Sequence, residues 1–147
     1  MEILLVDDNP NDAELATLAI KRARFSGRIV HVDDGVKAVD FLLGSGAYAN
    51  RAGVRPPRVV FLDLKMPRMD GIEVLRRVKA EEALRPIPIV MLTSSREVPD
   101  IAECYRLGVN SYLVKPVNFD EYEALMAALV HYWTRLNQPP LVEAGPD

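Results

Sequence analysis

Five polar residues stand at the ends of short apolar runs, and their side chains could together bind and transfer a phosphoryl group. Asp7 and Asp8 follow the first run, Asp63 follows the third, Thr93 ends the fourth and Lys115 follows the fifth. Three carboxylates brought together repel one another, and a hard divalent cation that prefers oxygen ligands relieves that repulsion. Mg²⁺ is the natural candidate, with the hydroxyl and the ammonium left to bind phosphoryl oxygens. These residue types therefore predict Mg²⁺-dependent phosphoryl transfer with a carboxylate as nucleophile.

The elements that must position these residues alternate between two kinds. Five apolar, often β-branched runs predict strands at 3–6, 29–32, 59–62, 87–92 and 112–114. Segments with helical periodicity follow them at 10–24, 36–43, 72–82, 99–107 and 119–136. Five β-α repeats favour an α/β fold, with a parallel sheet covered by helices on both faces. The carboxyl ends of such strands share one edge of the sheet, so we expect the five polar residues to meet there.

Residues with known capping roles support the predicted helix boundaries. Asn9 can cap the first helix, with Pro10 in its first turn, and Gly108 stands where the fourth helix should end. Asn118 and Glu121 have the spacing of a capping box for the last helix.

Length and composition exclude several classes of protein. The chain has 147 residues, a formal net charge of −3 and one cysteine, so we expect one domain at 1–137 with an extended last helix, and a flexible tail at 138–147. The negative charge disfavours binding to nucleic acid, and the longest apolar run, 125–130, is too short to span a membrane. A lone cysteine forms no internal disulfide. A cytoplasmic protein is the simplest interpretation.

Four segments together resemble one known family. LLVDDN, VVFLDLKMPRMDG, VMLTS and SYLVKP resemble the receiver domain of bacterial two-component response regulators, and the likeness extends over residues 2 to about 136. The resemblance implies a doubly wound, flavodoxin-like fold of five parallel strands in the order 2-1-3-4-5. It also implies a stand-alone phosphoacceptor in a phosphorelay, which catalyses only its own phosphotransfer and slow autodephosphorylation and is otherwise no enzyme.

The resemblance assigns roles to the residues at the predicted site. Asp63 would accept a phosphoryl group from a phosphohistidine on a sensor histidine kinase or a histidine phosphotransfer protein. Asp8 and Asp63 would ligate Mg²⁺ directly, Asp7 would act mainly through a coordinated water, and the backbone carbonyl of Lys65 would complete the metal site. Lys115 would pair with the phosphate.

Two further features follow from the resemblance. Thr93 and Tyr112 match the family's switch pair, in which the hydroxyl moves toward the phosphate and the aromatic ring turns inward. Lys115 and Pro116 are expected to form a cis peptide bond, since X-Pro bonds are the ones for which the cis form costs little.

The last predicted helix carries a wider apolar stripe than contact with one sheet requires. Together with the long 44–57 connection and the Trp-containing extension, it resembles the subgroup of single-domain regulators that partner bacterial phytochrome histidine kinases. The resemblance implies a homodimer through the fourth helix, fifth strand and fifth helix. We expect Tyr105, Tyr132 and Trp133 to lie in that interface.

Three other functions compete with this interpretation. A haloacid dehalogenase-type phosphatase would use Asp7 as nucleophile. Proteins of that class carry an Asp-x-Asp motif after the first strand, and here Asn9 stands where the second Asp of the motif would be. A flavodoxin-like electron carrier needs a phosphate-binding loop after the first strand, and the acidic DDNPND would repel that phosphate. A receiver that serves only as a docking scaffold would share the sequence features, and phosphorylation of Asp63 would distinguish it.

Overall fold

The computed structural model describes residues 1–140, so residues 141–147 of the predicted tail lie outside the described residues. Five strands are present: β1 (Glu2–Val6), β2 (Arg28–Val32), β3 (Val59–Leu62), β4 (Ile89–Thr93) and β5 (Ser111–Val114). Five α-helices alternate with them: α1 (Pro10–Arg22), α2 (Gly35–Leu43), α3 (Gly71–Ala80), α4 (Val98–Leu107) and α5 (Phe119–His131). Within residues 1–140, no helix combines the length and the apolar character needed to cross a bilayer.

All strand pairs are parallel, and the sheet has the order β2-β1-β3-β4-β5. This confirms the predicted fold class and strand order. Parallel neighbours require crossover connections, and the helices provide them. β2 and β5 form the two edges of the sheet, whereas β1 and β3 lie in its interior.

Two hydrophobic cores cover the two faces of the sheet. Residues alternate between them along each strand, so Leu4 and Val6 pack on one face and Ile3 and Leu5 on the other. The first face is covered by α2, α3 and α4, and the second by α1 and α5. Burial on both faces explains why β1, β3 and β4 are almost continuously apolar.

The predicted capping residues hold the helix ends. The Asn9 side chain accepts the backbone N–H groups of Asn11 and Asp12 at the start of α1. Asn118 accepts the N–H of Glu121 at 3.1 Å. Gly108 ends α4 with φ of 98°, a left-handed conformation that glycine adopts without the Cβ penalty.

The last predicted helix differs from expectation in two ways. The α-helical hydrogen bonding ends at His131, and a π-helical turn at Tyr132–Leu136 follows, closed by the Asn137 N–H donating to the Tyr132 carbonyl at 2.7 Å. Most of the predicted apolar stripe is also buried within the same molecule. Trp133, for example, packs against the hydrophobic core beneath α5. Tyr132 and Leu136 remain exposed.

Candidate functional site

Backbone hydrogen bonds continue the strand ladders one residue beyond their ends and thereby fix three of the predicted site residues. The N–H groups donate across the sheet as follows: Asp7 to Val32 at 3.1 Å, Asp63 to Val6 at 2.9 Å and Lys115 to Thr93 at 2.8 Å. These residues are therefore held by the sheet as firmly as strand residues are. The structure brings them together at the carboxyl edge, as the alternation of elements predicts.

Three carboxylates converge at this edge. One oxygen from each of Asp7, Asp8 and Asp63 lies within 4.8 Å of the others. Asp7 is buried, Asp63 is half-buried and Asp8 is exposed, so the cluster opens to solvent on the side of Asp8. An all-oxygen cluster that is open on one side fits a divalent cation that retains water ligands, as Mg²⁺ does.

Backbone donors orient two of these carboxylates. Asp7 accepts the N–H of Asn9 at 2.9 Å, and Asp63 accepts the N–H of Leu64 at 2.9 Å. Asp63 leaves a second oxygen that can face a cation or a phosphoryl group, whereas the second oxygen of Asp7 accepts a hydrogen bond from Lys115 at 3.2 Å. The loop conformations after β1 and β3 thus determine where these oxygens point.

Lys115 provides the positive charge of the site. Its Nζ lies 3.2 Å from Asp7 Oδ2 and 3.6 Å from Asp12 Oδ2. Burial alone would lower the pKa of Lys115, but attraction to Asp63, Asp7 and Asp12 outweighs burial and raises it. The ammonium is therefore charged at neutral pH and available to an anionic ligand.

The environment of Asp63 disfavours the ionised form of its carboxyl group. Burial is the main reason that its pKa rises from 3.8 to about 6, and repulsion by Asp7 and Asp8 adds to the rise. Lys115 and the Leu64 N–H oppose it. A cation that enters the cluster would stabilise the ionised form of Asp63 and so offset the effects of burial and of the neighbouring carboxylates.

Thr93 and Tyr112, the predicted switch pair, are linked through Ser95, which lies two residues after Thr93. The Thr93 hydroxyl is buried and accepts the N–H of Ser95 at 3.2 Å. The Tyr112 hydroxyl donates to the Ser95 carbonyl at 2.9 Å. Ser95 also donates its own hydroxyl to Asp100 of α4 at 2.7 Å. Sequence reasoning could not find this junction, since it depends on the path of the loop between β4 and α4.

The predicted cis peptide bond is wrong. The bond between Lys115 and Pro116 is trans, as are the other peptide bonds of the described residues. The trans form of an X-Pro bond is favoured by about 0.5–1 kcal/mol, and Lys115 reaches Asp7 from the trans backbone. Lys65 is exposed in the loop after Asp63, and its carbonyl as a metal ligand stays a prediction.

Two contacts beside the site were not predicted. His31 Nε2 lies 2.8 Å from the carbonyl oxygen of Asp7, a contact that follows from the pairing of β1 with β2, where His31 faces Leu5. Arg68, which has a positive φ of 64°, pairs with Asp34, the residue that caps α2. The second contact ties the loop after Asp63 to the start of α2.

The residues predicted for a dimer lie on both sides of β5. Tyr105 on α4 is 54% exposed and Tyr132 is 47% exposed. Trp133 is half-buried, and its ring meets that of Tyr132 edge to face with centroids 4.9 Å apart. The two tyrosines are thus available to a partner, while Trp133 mainly supports the fold.

Comparison with known proteins gives consistent matches. The sequence profile described as response regulator receiver domain matches residues 3–127. FilR2 of Methanothrix harundinacea, a probable methanogenesis regulatory protein, is 42% identical over 139 residues, covering 94% of this chain and 86% of that protein.

Solved structures agree. The phosphorylated cyanobacterial phytochrome response regulator RcpA superposes with a TM-score of 0.88 at 33% identity, covering 95% of this chain and 98% of that one. The bacteriophytochrome response regulator AtBRR has a TM-score of 0.73 at 47% identity, with coverage of 88% and 90%. The resemblance drawn from the four sequence segments is confirmed. The chain is a response regulator and belongs to the receiver domain family of two-component signalling.

Proposed function

We propose that Asp63 is the phosphoacceptor of this response regulator. A carboxylate oxygen of Asp63 attacks the phosphorus of a phosphohistidine on the partner. The new O–P bond forms as the P–N bond breaks, and the imidazole nitrogen leaves with the electron pair and takes up a proton. The observation that carries this proposal is the convergence of Asp63 with Asp7, Asp8 and Lys115 at the carboxyl edge.

Mg²⁺ is the proposed cofactor. Asp8 and Asp63 would hold it, with Asp7 acting through water and the Lys65 carbonyl as a further ligand. When bound, Mg²⁺ neutralises the charge of the carboxylates and of the incoming phosphoryl oxygens. The oxygen-only donor set supports a hard cation of this kind.

Lys115 and Thr93 would bind the remaining oxygens of the acyl phosphate. The ammonium already faces the carboxylates, and the buried hydroxyl of Thr93 ends β4 at the same edge. A phosphoryl group carries about −1.5 to −2 charge at neutral pH, so it would compete with Asp7 for Lys115. Movement of Thr93 toward the phosphate would break its hydrogen bond with the Ser95 N–H. Because Tyr112 donates to the Ser95 carbonyl, the change would pass to the Tyr112 ring. Thr93 and Tyr112 would therefore form the switch. Water would hydrolyse the acyl phosphate slowly.

Intact-mass analysis after incubation with a small phosphoramidate and Mg²⁺ tests the phosphoacceptor. We expect one phosphoryl adduct that is absent from Asp63→Asn and absent when a chelator is added. Asp120→Asn, an exposed carboxylate at the start of α5, is the matched control and should still be modified. An adduct that persists in Asp63→Asn, or that needs Asp7 but not Asp63, would contradict the proposal.

A phytochrome-type histidine kinase is the proposed phosphodonor, directly or through a histidine phosphotransfer protein. The names of RcpA and AtBRR support this choice. Phosphohistidine made from ATP by such a kinase would place the reaction in the cytoplasm. The kinase would dock beside the site, where Leu15 of α1 is 42% exposed and Val117 is fully exposed.

Leu15→Ala tests this docking surface. We expect slower transfer from the phosphorylated kinase and an unchanged rate with the small phosphoramidate, because only the protein donor needs the surface. Leu43→Ala, which truncates a similarly exposed leucine at the end of α2, should leave both rates unchanged. Equal slowing with both donors would mean that Leu15 supports the site itself.

We also propose that the chain forms a homodimer through α4, β5 and α5. Tyr105 and Tyr132 provide exposed aromatic surface on the two sides of β5. A self-complementary patch of this kind favours a two-fold contact.

A further inference from the structure

The edge of the sheet opposite the phosphoacceptor site carries a row of charged residues. Glu2 begins β1, and its register partner on β2 is Arg28. Arg58 immediately precedes β3 and donates its N–H to the Glu2 carbonyl at 2.8 Å. Residues in register on parallel strands point to the same face. Two arginines therefore flank one carboxylate across three neighbouring strands.

The carboxylate in the middle is already neutralised. Arg51, which ends a short 3₁₀ segment at Gly46–Arg51, binds both oxygens of Glu2 at 2.7 and 3.3 Å. Its guanidinium carbon also lies 3.7 Å from the centre of the Phe41 ring. The side chains of Arg51 and Glu2 are only 12% and 11% exposed. The ion pair is thus fixed in place, and the Glu2 carboxylate is neutralised by Arg51 rather than by Arg28 or Arg58.

Arg28 and Arg58 have no carboxylate within ion-pair distance among residues 1–140. Both line a cavity of about 640 Å³ between the sheet edge and the 44–57 connection. Tyr48, Val54 and Pro56 supply less polar parts of its wall. Pockets for small organic ligands have volumes of about 300–1,000 Å³. The size of the cavity, its lining and two arginines without an ion pair among residues 1–140 thus coincide at one place.

We propose that this cavity binds a small organic anion with at least two negative charges. The forked donors of arginine match phosphate and carboxylate oxygens, and a pair of them favours a ligand that presents two such groups or one polyphosphate. The tyrosine, valine and proline side chains contact the organic part. A phosphate ester such as a nucleotide and a polycarboxylate share this chemistry, and the experiment separates them.

The test is an amide NMR titration of the whole chain with ADP, citrate and inorganic pyrophosphate. Metal-free buffer prevents a nucleotide from being drawn to the carboxylate cluster by a shared cation. We expect saturable shifts around Glu2, Arg28 and Arg58 with an organic anion, and weaker binding of pyrophosphate. Tighter binding of ADP would identify a phosphate ligand, and tighter binding of citrate a carboxylate ligand.

Paired variants make the test specific. Arg28→Gln with Arg58→Gln should weaken binding at least about tenfold, since charge-assisted hydrogen bonds are lost. Arg77→Gln with Arg96→Gln changes the net charge equally at exposed sites outside the cavity and should leave the affinity unchanged. Arg28→Gln alone serves if the double variant unfolds. Equal weakening by both pairs, shifts that do not saturate, shifts confined to the Asp63 edge, or pyrophosphate binding as tightly as the organic anions would overturn the proposal.

Discussion

At the scale of single residues, Asp63 is placed where its charge is unfavourable until a cation or a phosphoryl group arrives. Burial and two neighbouring carboxylates raise its pKa from 3.8 to about 6. Such a site would trade stability of the metal-free protein for affinity toward the proposed cation and phosphoryl group. The trade should be measurable as a pH dependence of folding.

We expect the free energy of unfolding of the metal-free protein to fall as pH rises from about 4 to about 6. In this interval the unfolded chain has already released the Asp63 proton while the folded chain retains it, so rising pH favours unfolding. One pKa unit corresponds to about 1.4 kcal/mol. Because Asp63 is partly solvated, we expect a change on the order of 1–2 kcal/mol. Urea denaturation in EDTA at several pH values measures it.

Asp63→Asn should flatten this dependence, and saturating Mg²⁺ should flatten it in the wild type. Asp120→Asn, at an exposed position, is the control and should retain the slope. If Asp63→Asn and Asp120→Asn show the same dependence of the free energy of unfolding on pH, that dependence does not arise from Asp63.

Gly71, at the start of α3, determines where Asp63 lies. A Cβ at this position would sit 2.3 Å from the Asp63 carbonyl oxygen and 2.9 Å from Leu64 Cα, both of them backbone atoms. We expect Gly71→Ala to push the Asp63 backbone away, to destabilise the protein by about 1–3 kcal/mol, and to slow phosphorylation by the small donor. Thermal denaturation and the intact-mass assay measure the two effects.

Gly53→Ala is the comparison for this substitution. Gly53 has a φ of 82° with no atom within 4 Å of an added Cβ, so the variant carries backbone strain of about 1 kcal/mol without contact. It should leave phosphorylation unchanged. A Gly71→Ala protein phosphorylated at the wild-type rate would show that the site tolerates movement of Asp63.

The sequence was sufficient to predict which residues meet at the site, because Asp7, Asp63 and Lys115 each follow a strand of a parallel sheet. Two kinds of contact lay beyond it. Arg51 reaches Glu2 from a connection whose path only tertiary packing determines. The isomer of the Lys115–Pro116 bond depends on an energy difference too small for sequence reasoning to resolve.

At the scale of elements, the loop between β4 and α4 joins the two proposed switch residues, Thr93 and Tyr112. Ser95 receives the Tyr112 hydroxyl at its carbonyl and gives its N–H to Thr93. Its hydroxyl holds Asp100 in the first turn of α4. The proposed displacement of Thr93 would therefore act on a strand, a loop and a helix through Ser95.

Tyr112→Phe should loosen this loop while leaving the chemistry at Asp63 intact. The variant loses one hydrogen bond, with a net value of about 1 kcal/mol, and we expect faster amide hydrogen exchange at residues 95–98. Phosphorylation by the small donor should proceed at the wild-type rate. Tyr105→Phe, at an exposed position on α4, should change neither. Slower phosphorylation of Tyr112→Phe would mean that the ring contributes to the site directly.

The sequence predicted the ends of helices correctly where a nearby side chain caps the helix. Asn9 and Asn118 cap α1 and α5 as predicted. The change to π-helical bonding at Tyr132 was not visible, because the segment is only 5 residues long and one turn is too short to distinguish the two helical periods. The 3₁₀ segment within the 44–57 connection was missed for a related reason, since short 3₁₀ turns have no strong sequence pattern.

At the scale of the whole molecule, the parallel sheet separates opposite charges. Asp7, Asp8 and Asp63 gather at its carboxyl edge, and Arg28, Arg58 and the Arg51–Glu2 pair gather at its amino edge. The net charge of −3 hides this separation. A phosphoryl group at Asp63 would deepen the negative end, so partners that recognise the phosphorylated form should approach from that edge or from the faces beside β5.

The faces beside β5 are where we expect a second copy of the chain. Tyr105, Tyr132 and Leu136 are 54%, 47% and 62% exposed. Light scattering should give a mass that rises with concentration from 16.4 kDa toward twice that value. Tyr132→Glu should keep the mass at that of the monomer, because a two-fold contact would bury the added carboxylate of both copies.

Leu18→Glu is the matched control, since Leu18 is 40% exposed on α1. Helix α1 covers one face of the sheet and α4 covers the other. This variant should dimerise like the wild type, which separates a specific contact from a general loss of apolar surface. If the wild type stays at 16.4 kDa at every concentration, the aromatic side chains around β5 serve another partner. If Leu18→Glu and Tyr132→Glu both abolish the dimer, the loss is not specific to Tyr132, and the proposed interface through α4, β5 and α5 is contradicted.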